Sequence, residues 1–259
     1  MPSKRQVFII GILIIAVAGY QFLSASLRAA RNQRAAASAW RQAGTGFEVR
    51  AFSRASGLGP ARVLAVRVDP ARCRIRVVDA GKKFSSAGAT AEKVCPPRGA
   101  AINASFFAEE PFLKPIGLLI CDGKKLQPRL RNADWGIFLV TKKRALVASS
   151  REALPAGIMQ AVESKPRLVT DSKMLRFKPQ AEAKRAAVGV DAQGRVILAA
   201  TEGLLSLEEW ASCLREDLNC TNALNLDGGP STQLTVKGKQ SHTIKGGWPV
   251  PVFIVVEGR

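Results

Sequence analysis

The stretch from Asn222 to Thr232 constrains the fold of this chain more than any other. A short apolar run ends at Asp227, and Gly228, Gly229 and a proline follow directly. Glycines permit positive φ angles and let backbone N–H groups approach a ligand closely. The pattern predicts a strand, a sharp turn and a second strand, with Asp227 held at the end of a sheet. An ordinary hairpin turn is the alternative, because Asp-Gly is a common hairpin signal.

The residues before this stretch predict the elements that support it. Ser206 and Glu209 have the spacing of a capping box. The apolar residues that follow have helical spacing: Leu207, Trp210, Ala211, Leu214 and Leu218. Two strands are predicted upstream, at 186–190 and 195–200, joined by a turn. The predicted order is strand, turn, strand, helix, strand, Asp-Gly-Gly turn and strand.

Strand patterns also dominate the rest of the chain. Residues 63–68 and 73–78 flank the turn sequence Asp69-Pro70-Ala71, which predicts a hairpin. Residues 91–94 have room for one helical turn before two prolines. Further strands are predicted at 100–102, 116–121, 136–140, 145–148 and 250–256. We therefore predict an α+β fold with mixed, largely antiparallel sheets and few helices, forming a single domain behind an N-terminal membrane segment.

Charge and composition limit the classes of partner. The formal net charge is +19, and 47% of the residues are hydrophobic. A globular chain this basic favours polyanions such as nucleic acid, an anionic lipid surface or a phosphate-bearing glycan. A solvated, arginine-rich surface is the alternative. The basic residues are spread along the chain and no nucleic-acid-binding motif is present, so we expect no nucleic-acid partner.

The single histidine, His242, limits the chemistry. It excludes a zinc site built on several histidines. A Ser-His-Asp triad would have to use His242, which we expect in an exposed polar loop. We expect no resident metal or other cofactor. A divalent cation at Asp227 stays open, although no full oxygen-ligand loop is present.

The N-terminus has the pattern of an export signal. Lys4 and Arg5 precede an apolar run over residues 7–23. We predict a signal peptide or uncleaved signal anchor over residues 1–26, a basic linker over 27–45 and a globular domain over 46–259. Four arginines follow the run, which opposes translocation of that side, but we expect a periplasmic or extracellular location, with a membrane anchor as one form of it.

Five cysteines lie at positions 73, 95, 121, 213 and 220. In an exported protein some are expected to pair, and Cys213 with Cys220 is the pair that could join the helix to the next strand. Buried thiols packed as small apolar groups are the alternative for Cys73 and Cys121, which sit in predicted strands.

Several motifs occur in the order that is typical of one family, and together the last two-thirds of the chain resembles the phosphodiester glycosidases. Two departures are present: Pro230 stands where the family usually has a third glycine, and Arg-Thr-Ala is replaced by Arg-Ala-Ala from Arg185. The motifs that carry the resemblance are 103–107 (Asn-Ala-Ser-Phe-Phe), 115–119 with Asp122-Gly123, 166–169, 185–190, Glu202-Gly203 and 222–232.

The resemblance implies hydrolysis of the glycosidic bond of a sugar-1-phosphodiester in an envelope polymer or glycan. Such a reaction needs a carboxylate to stabilise an oxocarbenium-like transition state or to activate water, and cations for the departing phosphate. Arg185 is predicted to bind the phosphate, and Asp227 to act as nucleophile or general base. Glu202 is predicted as the second carboxylate. The predicted substrate-binding residues are Asn103, Gly228, Gly229 and Ser231.

Each predicted role has a structural alternative. Arg185 could instead form a surface ion pair, Asp227 could cap its own turn, and Glu202 could cap the turn at Gly203. At the level of function, the alternatives are a non-catalytic protein that binds phosphorylated envelope glycans and a phosphodiesterase that cleaves the phosphate ester itself.

Overall fold

Short apolar strands build most of the structure, which is a computed structural model that describes residues 39–83, 88–108, 113–132 and 134–258. The predicted membrane segment at 7–23 and signal segment at 1–26 lie outside the described residues, as does most of the predicted linker at 27–45. Within the described part, no helix combines the length and apolar character that a membrane crossing requires.

Twenty strands and three short α-helices are present in the described residues. The strands are β1 (Arg41–Gly44), β2 (Phe47–Arg54), β3 (Ala61–Val68), β4 (Cys73–Asp79), β5 (Gly99–Asn103), β6 (Phe107–Ala108), β7 (Lys114–Pro115), β8 (Leu119–Cys121), β9 (Lys124–Gln127), β10 (Gly136–Thr141), β11 (Ala145–Ser149), β12 (Ile158–Ser164), β13 (Arg167–Thr170), β14 (Lys173–Met174), β15 (Ala186–Asp191), β16 (Val196–Thr201), β17 (Cys220–Asn225), β18 (Leu234–Lys237), β19 (His242–Ile244) and β20 (Val252–Gly258). The helices are α1 (Ala80–Lys83), α2 (Ala91–Val94) and α3 (Leu207–Ser212), which continues as a π-helical turn (Cys213–Asp217).

The strands form three main sheets. The largest has eight strands in the order β1-β2-β3-β16-β15-β17-β13-β14. Two five-stranded sheets have the orders β11-β10-β12-β8-β9 and β19-β18-β5-β20-β4, and β6 pairs with β7. Every paired strand in the described residues runs antiparallel to its neighbour. The predicted helix-poor, largely antiparallel architecture is confirmed, but the sheets are not mixed, because no parallel pair occurs among the described strands.

The central strands β15 and β16 are apolar on both faces because both faces are covered. Along these strands, Val188 and Leu198 face the main core between the sheets, whereas Ala187 and Ile197 face a second core. Helix α3 closes that second core with the fully buried Trp210. A strand buried on both sides loses the alternation of polar and apolar residues, so it reads as a continuous apolar run.

Helix α3 begins where the sequence predicts. The Ser206 hydroxyl accepts a hydrogen bond from the Glu209 N–H at 3.1 Å, and the Glu209 carboxylate accepts one from the Ser206 N–H at 2.8 Å. This reciprocal capping box satisfies two donors that the first helical turn leaves unpaired. The helix therefore enters the second core at a fixed angle, directly before strand β17.

The predicted hairpin between residues 63–68 and 73–78 is wrong. Strand β3 pairs with β2 and β16 in the eight-stranded sheet, whereas β4 pairs with β20 in a different sheet. The turn at Asp69 thus carries the chain from one sheet to another. The Asp-Gly-Gly turn does the same between β17 and β18, so it is not a hairpin turn either. Local turn signals do not encode the distant partner strand that decides sheet membership.

The predicted Cys213–Cys220 disulfide is also wrong, because none of the five cysteines, all of which lie in the described residues, forms a disulfide. Cys213 and Cys220 are buried in the second core beside helix α3. Burial raises the pKa of the Cys213 thiol to about 12. These side chains serve as small apolar groups in the core.

We expect native protein to react with a thiol reagent at Cys121 only, since the other four cysteines are buried and Cys121 is half-buried. In strong denaturant without reductant, the number of reactive thiols should rise from one to five. A spectroscopic thiol titration checks both values. A count of three in denaturant would show that two cysteines pair after all.

Glu163 organises the five-stranded sheet beside the cleft described below. Its side chain is fully buried at the end of β12. The carboxylate accepts hydrogen bonds from the Leu118 N–H at 2.7 Å, the Leu130 N–H at 3.0 Å and the Ser150 hydroxyl. A buried carboxylate is tolerated when several donors replace its water. Glu163 thus connects three loops to the strand that leads into the cleft.

Replacing Glu163 by alanine should leave these three buried donors unsatisfied and lower the free energy of unfolding by about 3 kcal/mol or more. Urea unfolding followed by circular dichroism measures the loss. Glu152→Ala, which removes an exposed side chain from the same region, is the matched control and should change stability by less than about 0.5 kcal/mol. Equal midpoints for the two variants would contradict the assigned role.

Candidate active site

A cleft of about 710 Å³ lies where strands of the large sheet meet the loop after β12. The end of β17, the start of β13 and the segment before β15 all open into it. Its lining includes Phe106, Asp134, Lys165, Pro166, Arg167, Leu175, Arg176, Phe177, Lys178, Gln180, Ala183, Arg185, Leu207, Asn225, Asp227, Gly228 and Gly229. Four of the seven site residues predicted from the sequence line this cleft, namely Arg185, Asp227, Gly228 and Gly229.

The turn at Asp227 is held from both sides by the two sheets that it joins. The Asp227 N–H donates to the Ala104 carbonyl at 3.1 Å, and the Asn103 side-chain amide donates to the Asp227 carbonyl at 2.7 Å. On the other side, the Gly229 N–H donates to the Lys184 carbonyl at 2.8 Å. Asp227 therefore sits on a backbone that is anchored to β5 and to the segment before β15.

The two glycines are required for different reasons. Gly229 has φ of +58°, in the left-handed region that favours glycine. A Cβ at Gly228 would lie 2.9 Å from the Lys184 carbonyl oxygen, so this position needs close approach of two backbones. Pro230 follows in a 3-10 turn over Gly229–Ser231, a conformation that suits the fixed φ of proline. The departure from a third glycine is therefore compatible with the turn.

Burial raises the pKa of the Asp227 carboxyl above its ordinary value. Hydrogen bonds from the Ser231 hydroxyl and the Gly228 N–H act in the opposite direction, because they favour the charged form. The carboxyl group is thus partly desolvated but keeps two donors that fix its orientation. A group in this state can accept a proton or attack an electrophile more readily than a solvated aspartate.

Arg185 enters the cleft from the start of β15 and is nearly buried. Its Nε donates to the Leu205 carbonyl at 2.8 Å and its Nη2 to the Ala181 carbonyl at 2.9 Å. Burial lowers the pKa of the guanidinium, and the charge of Glu182 partly offsets this effect. The guanidinium is therefore held in one plane. It is not the surface ion pair that was the alternative reading.

The other predicted residues occupy different places. Asn103 and Ser231 are buried, 1% and 2% exposed, and lie behind Asp227 rather than on the cleft lining. Glu202 is not part of the lining and forms an ion pair with Arg62 at 2.6 Å on the surface. The structure thus joins Asp227 and Arg185 in one cleft and places Glu202 elsewhere. His242 is not in a loop but begins β19, and it too is absent from the lining.

The sequence analysis assigned no role to five charged residues of the cleft, two of which are Arg176 and Lys178. Asp134 is the second carboxylate of the lining, and Lys165 and Arg167 stand on either side of Pro166. The Lys165 ammonium lies 5.3 Å from the ring centre of Trp135, within the range of a cation–π contact. The motif at 166–169 pointed to this region, but only the fold shows that the start of β13 faces Asp227.

Positive charge exceeds negative charge in the cleft lining. Two carboxylates, Asp134 and Asp227, stand among five cationic side chains, which are Lys165, Arg167, Arg176, Lys178 and Arg185. The described residues contain no group of three or more histidine, cysteine or acidic side chains arranged to hold a metal ion. A lining of this charge attracts an anionic ligand.

Comparison with known proteins gives the same answer as the motifs. The family model for phosphodiester glycosidase matches residues 98–257, which is more than half of the chain. A search of curated proteins found no match.

Solved structures with related folds include three of low sequence identity. The catalytic domain of zebrafish N-acetylglucosamine-1-phosphodiester alpha-N-acetylglucosaminidase, auto-inhibited by its pro-peptide, matches with a TM-score of 0.65 and 19% identity over 84% of this chain and 87% of that chain. A hypothetical protein from Synechocystis gives a TM-score of 0.59 and 18% identity over 84% and 64% of the two chains. A predicted exported protein from Burkholderia pseudomallei gives 0.53 and 15% over 76% and 74%.

At these identities the structural matches establish the fold, whereas the family model covers the site as well. Its range includes the Asn103 motif, all three arginines of the cleft lining and the Asp227 turn. The chain therefore belongs to the phosphodiester glycosidase family.

Proposed function

We propose that this chain hydrolyses the glycosidic bond of a sugar-1-phosphodiester and releases a free sugar and a phosphomonoester. The observation that carries the proposal is the Asp227 carboxyl, raised in pKa by burial and placed in a cleft lined by five cations. The same combination suits a substrate whose reacting carbon is next to a phosphate. We further propose that the substrate belongs to an envelope polymer or glycan.

Asp227 is the proposed nucleophile or general base. It is anchored through its backbone to Ala104 and Asn103, so its carboxylate is positioned before substrate arrives. A base works best when its pKa is close to the working pH, and the raised pKa moves Asp227 in that direction. The phosphate is a good leaving group, so protonation by a second carboxyl contributes less than in ordinary glycosidases.

The cations of the cleft are proposed to bind the phosphate. Arg185 is oriented by two backbone carbonyls, which leaves its remaining N–H groups for a ligand. Lys165, in the loop after β12, and Arg167, at the start of β13, supply further charge. Guanidinium groups match phosphate oxygens in geometry and remain charged at any working pH. Charge in place before the reaction stabilises the phosphate that departs.

Asn103 and Ser231 are proposed to support Asp227 rather than to touch the substrate, because both lie behind the cleft lining. Gly228 and Gly229 line the cleft, and their backbones are proposed to approach the sugar or phosphate closely. Glu202 has no proposed part in the reaction, since it forms an exposed ion pair with Arg62. Asp134 replaces it as the second carboxylate near the substrate.

We also propose that the protein is exported and acts in the periplasm or outside the cell. The charged and apolar N-terminal pattern supports this, as does the structural likeness to a predicted exported protein. Attachment to the membrane through residues 7–23 is part of the same proposal.

The purified full chain should release free sugar from at least one member of a panel of sugar-1-phosphodiesters. Asp227→Asn should lower kcat by at least about 100-fold, because a positioned acid or base contributes about 100- to 10,000-fold. Asp134→Asn should cause a smaller loss, since the leaving group needs less acid assistance. Mass spectrometry of both products measures the reaction and identifies the cleaved bond.

Two variants provide the comparison. Glu208→Gln, on the exposed face of α3, is the matched control for a lost carboxylate. Glu202→Gln should also stay near wild type, and a large loss there would restore the role predicted from the sequence. A product that keeps phosphate on the sugar would identify a phosphodiesterase. Binding without turnover across the panel would favour a non-catalytic protein.

Burial of the ionised Asp227 carboxylate should lower the free energy of unfolding of the protein at neutral pH. The pKa of Asp227 is higher in the folded than in the unfolded state, so at low pH the carboxyl is neutral in both states and its burial costs no desolvation of charge. As the pH rises through the folded-state pKa, the buried group must ionise and the protein loses stability. Asp227→Asn should therefore increase the melting temperature at pH 7 by about 2–4 °C, which corresponds to about 1 kcal/mol in a domain of this size. Calorimetry at pH 3.5 should show no gain. An equal gain at both values would mean that charge is not the cause.

A further inference from the structure

Trp248 is a large aromatic residue that is 45% exposed, yet its indole nitrogen forms a hydrogen bond within the protein. The indole Nε1–H donates to the Ser231 hydroxyl oxygen at 3.1 Å. Ser231 is 2% exposed and hydrogen-bonds through its hydroxyl to the Asp227 carboxyl. Trp248, Ser231 and Asp227 therefore form one continuous chain of hydrogen bonds that ends at the proposed catalytic group.

The loop that carries Trp248, residues 245–249, is fixed to the Asp227 turn by its backbone. The Gly247 N–H donates to the Pro230 carbonyl at 2.7 Å, and the Gln233 side-chain amide donates to the Trp248 carbonyl at 3.2 Å. The same Gln233 amide also reaches the Ser231 carbonyl at 3.3 Å. The position of the indole relative to Ser231 is thus set by the turn itself.

The direction of each bond follows from the groups involved. An indole N–H can only donate, so it occupies a lone pair of the Ser231 oxygen. A serine hydroxyl has a single proton, and with the oxygen accepting from Trp248 that proton is directed to Asp227. Donation to a hydroxyl oxygen also makes its own O–H a stronger donor, because hydrogen bonds in a chain polarise one another.

We propose that Trp248 is a positioning residue for Asp227, which it reaches through Ser231 by committing the serine proton to the carboxylate. The catalytic importance of this relay rests on the proposed function, but the relay itself does not. Neither Trp248 nor Ser231 lines the cleft, so both act on the carboxyl from the side opposite the substrate. The relay favours the charged form of the Asp227 carboxyl and thus opposes the effect of burial.

Several other groups also influence Asp227, and the test must separate them from the relay. The Gly228 N–H is the second hydrogen-bond donor to the carboxyl. Lys184 and Lys245 carry the remaining charges of the two segments bonded to the turn. The charged side chains that share the cleft with Asp227 are Asp134, Lys165, Arg167, Arg176, Lys178 and Arg185. None of these changes when Trp248 or Ser231 is replaced.

The test is a double-mutant cycle with Trp248→Phe, Ser231→Ala and the combined variant in the full chain. Carboxyl-carbon NMR on aspartate-labelled protein gives the pKa of Asp227, and Asp227→Asn assigns its signal. Ser231→Ala should raise this pKa by about one unit, the size expected when a hydrogen bond to a charged group is lost. Trp248→Phe should raise it by about half a unit, and the combined variant should match Ser231→Ala alone.

Two further measurements distinguish positioning from a general structural role. The acid limb of the kcat/KM profile should move to higher pH by the same amounts, with KM for substrate within about twofold of wild type. Trp40→Phe is the matched control, because this indole stacks on Arg67 in the second core and is absent from the cleft lining. It should leave the Asp227 pKa unchanged.

An Asp227 pKa that stays at its wild-type value in Trp248→Phe would overturn the proposal. Additive shifts in the combined variant would overturn it as well, since the two residues would then act independently. If no sugar phosphodiester is turned over, the NMR cycle still gives a result. Failure of the proposed function and failure of the relay are therefore separate outcomes.

Discussion

The site depends on one side chain, the buried amide of Asn103. Its nitrogen donates to the Asp227 carbonyl at 2.7 Å, and its oxygen accepts from the Gln233 N–H at 3.0 Å. The amide thus bridges both ends of the turn that joins the eight-stranded sheet to a five-stranded one. A buried amide satisfied on both sides is directional and costly to misplace. This bridge holds the Asp227 carbonyl, and the Ala104 carbonyl holds the Asp227 N–H, so the backbone of Asp227 is fixed on both sides.

Asp227 shows how the fold creates chemistry from an ordinary residue. Burial raises the pKa of its carboxyl, whereas Ser231 and Gly228 limit that rise by donating to the charged form. The surrounding cations provide a field for an anionic ligand, and none of the ion pairs found among the described residues involves Asp227. The ionised form of Asp227 is less stable than that of a solvated aspartate, as is common where activity requires a perturbed pKa. Its support comes from residues outside the cleft, which is why Asn103 and Ser231 belong to the site without lining it.

The elements with strong local signals could be predicted from the sequence, and those that depend on distant partners could not. The capping box of α3 and the strands on either side of it lie where the pattern places them. The hairpin predicted at Asp69 fails because β3 and β4 find partners in different sheets. Glu202 has the same local signal as a catalytic carboxylate, yet it pairs with Arg62 at the surface. The Cys213 thiol is buried among apolar residues. Spacing along the chain does not tell such a buried free thiol from a cysteine that forms a disulfide.

By itself, the sequence determined the antiparallel, strand-rich class of the fold, the family and the turn that carries Asp227. Apolar periodicity, helix caps and glycine positions are local properties, because each depends only on residues close together in the sequence. Only the tertiary structure decided which charges share a cleft. Asp134, Lys165 and Arg185 come from three separate segments, and strand pairing brings them to Asp227. The physical reason is that sheet order is set by burial of whole faces over long sequence separations, which no short motif contains.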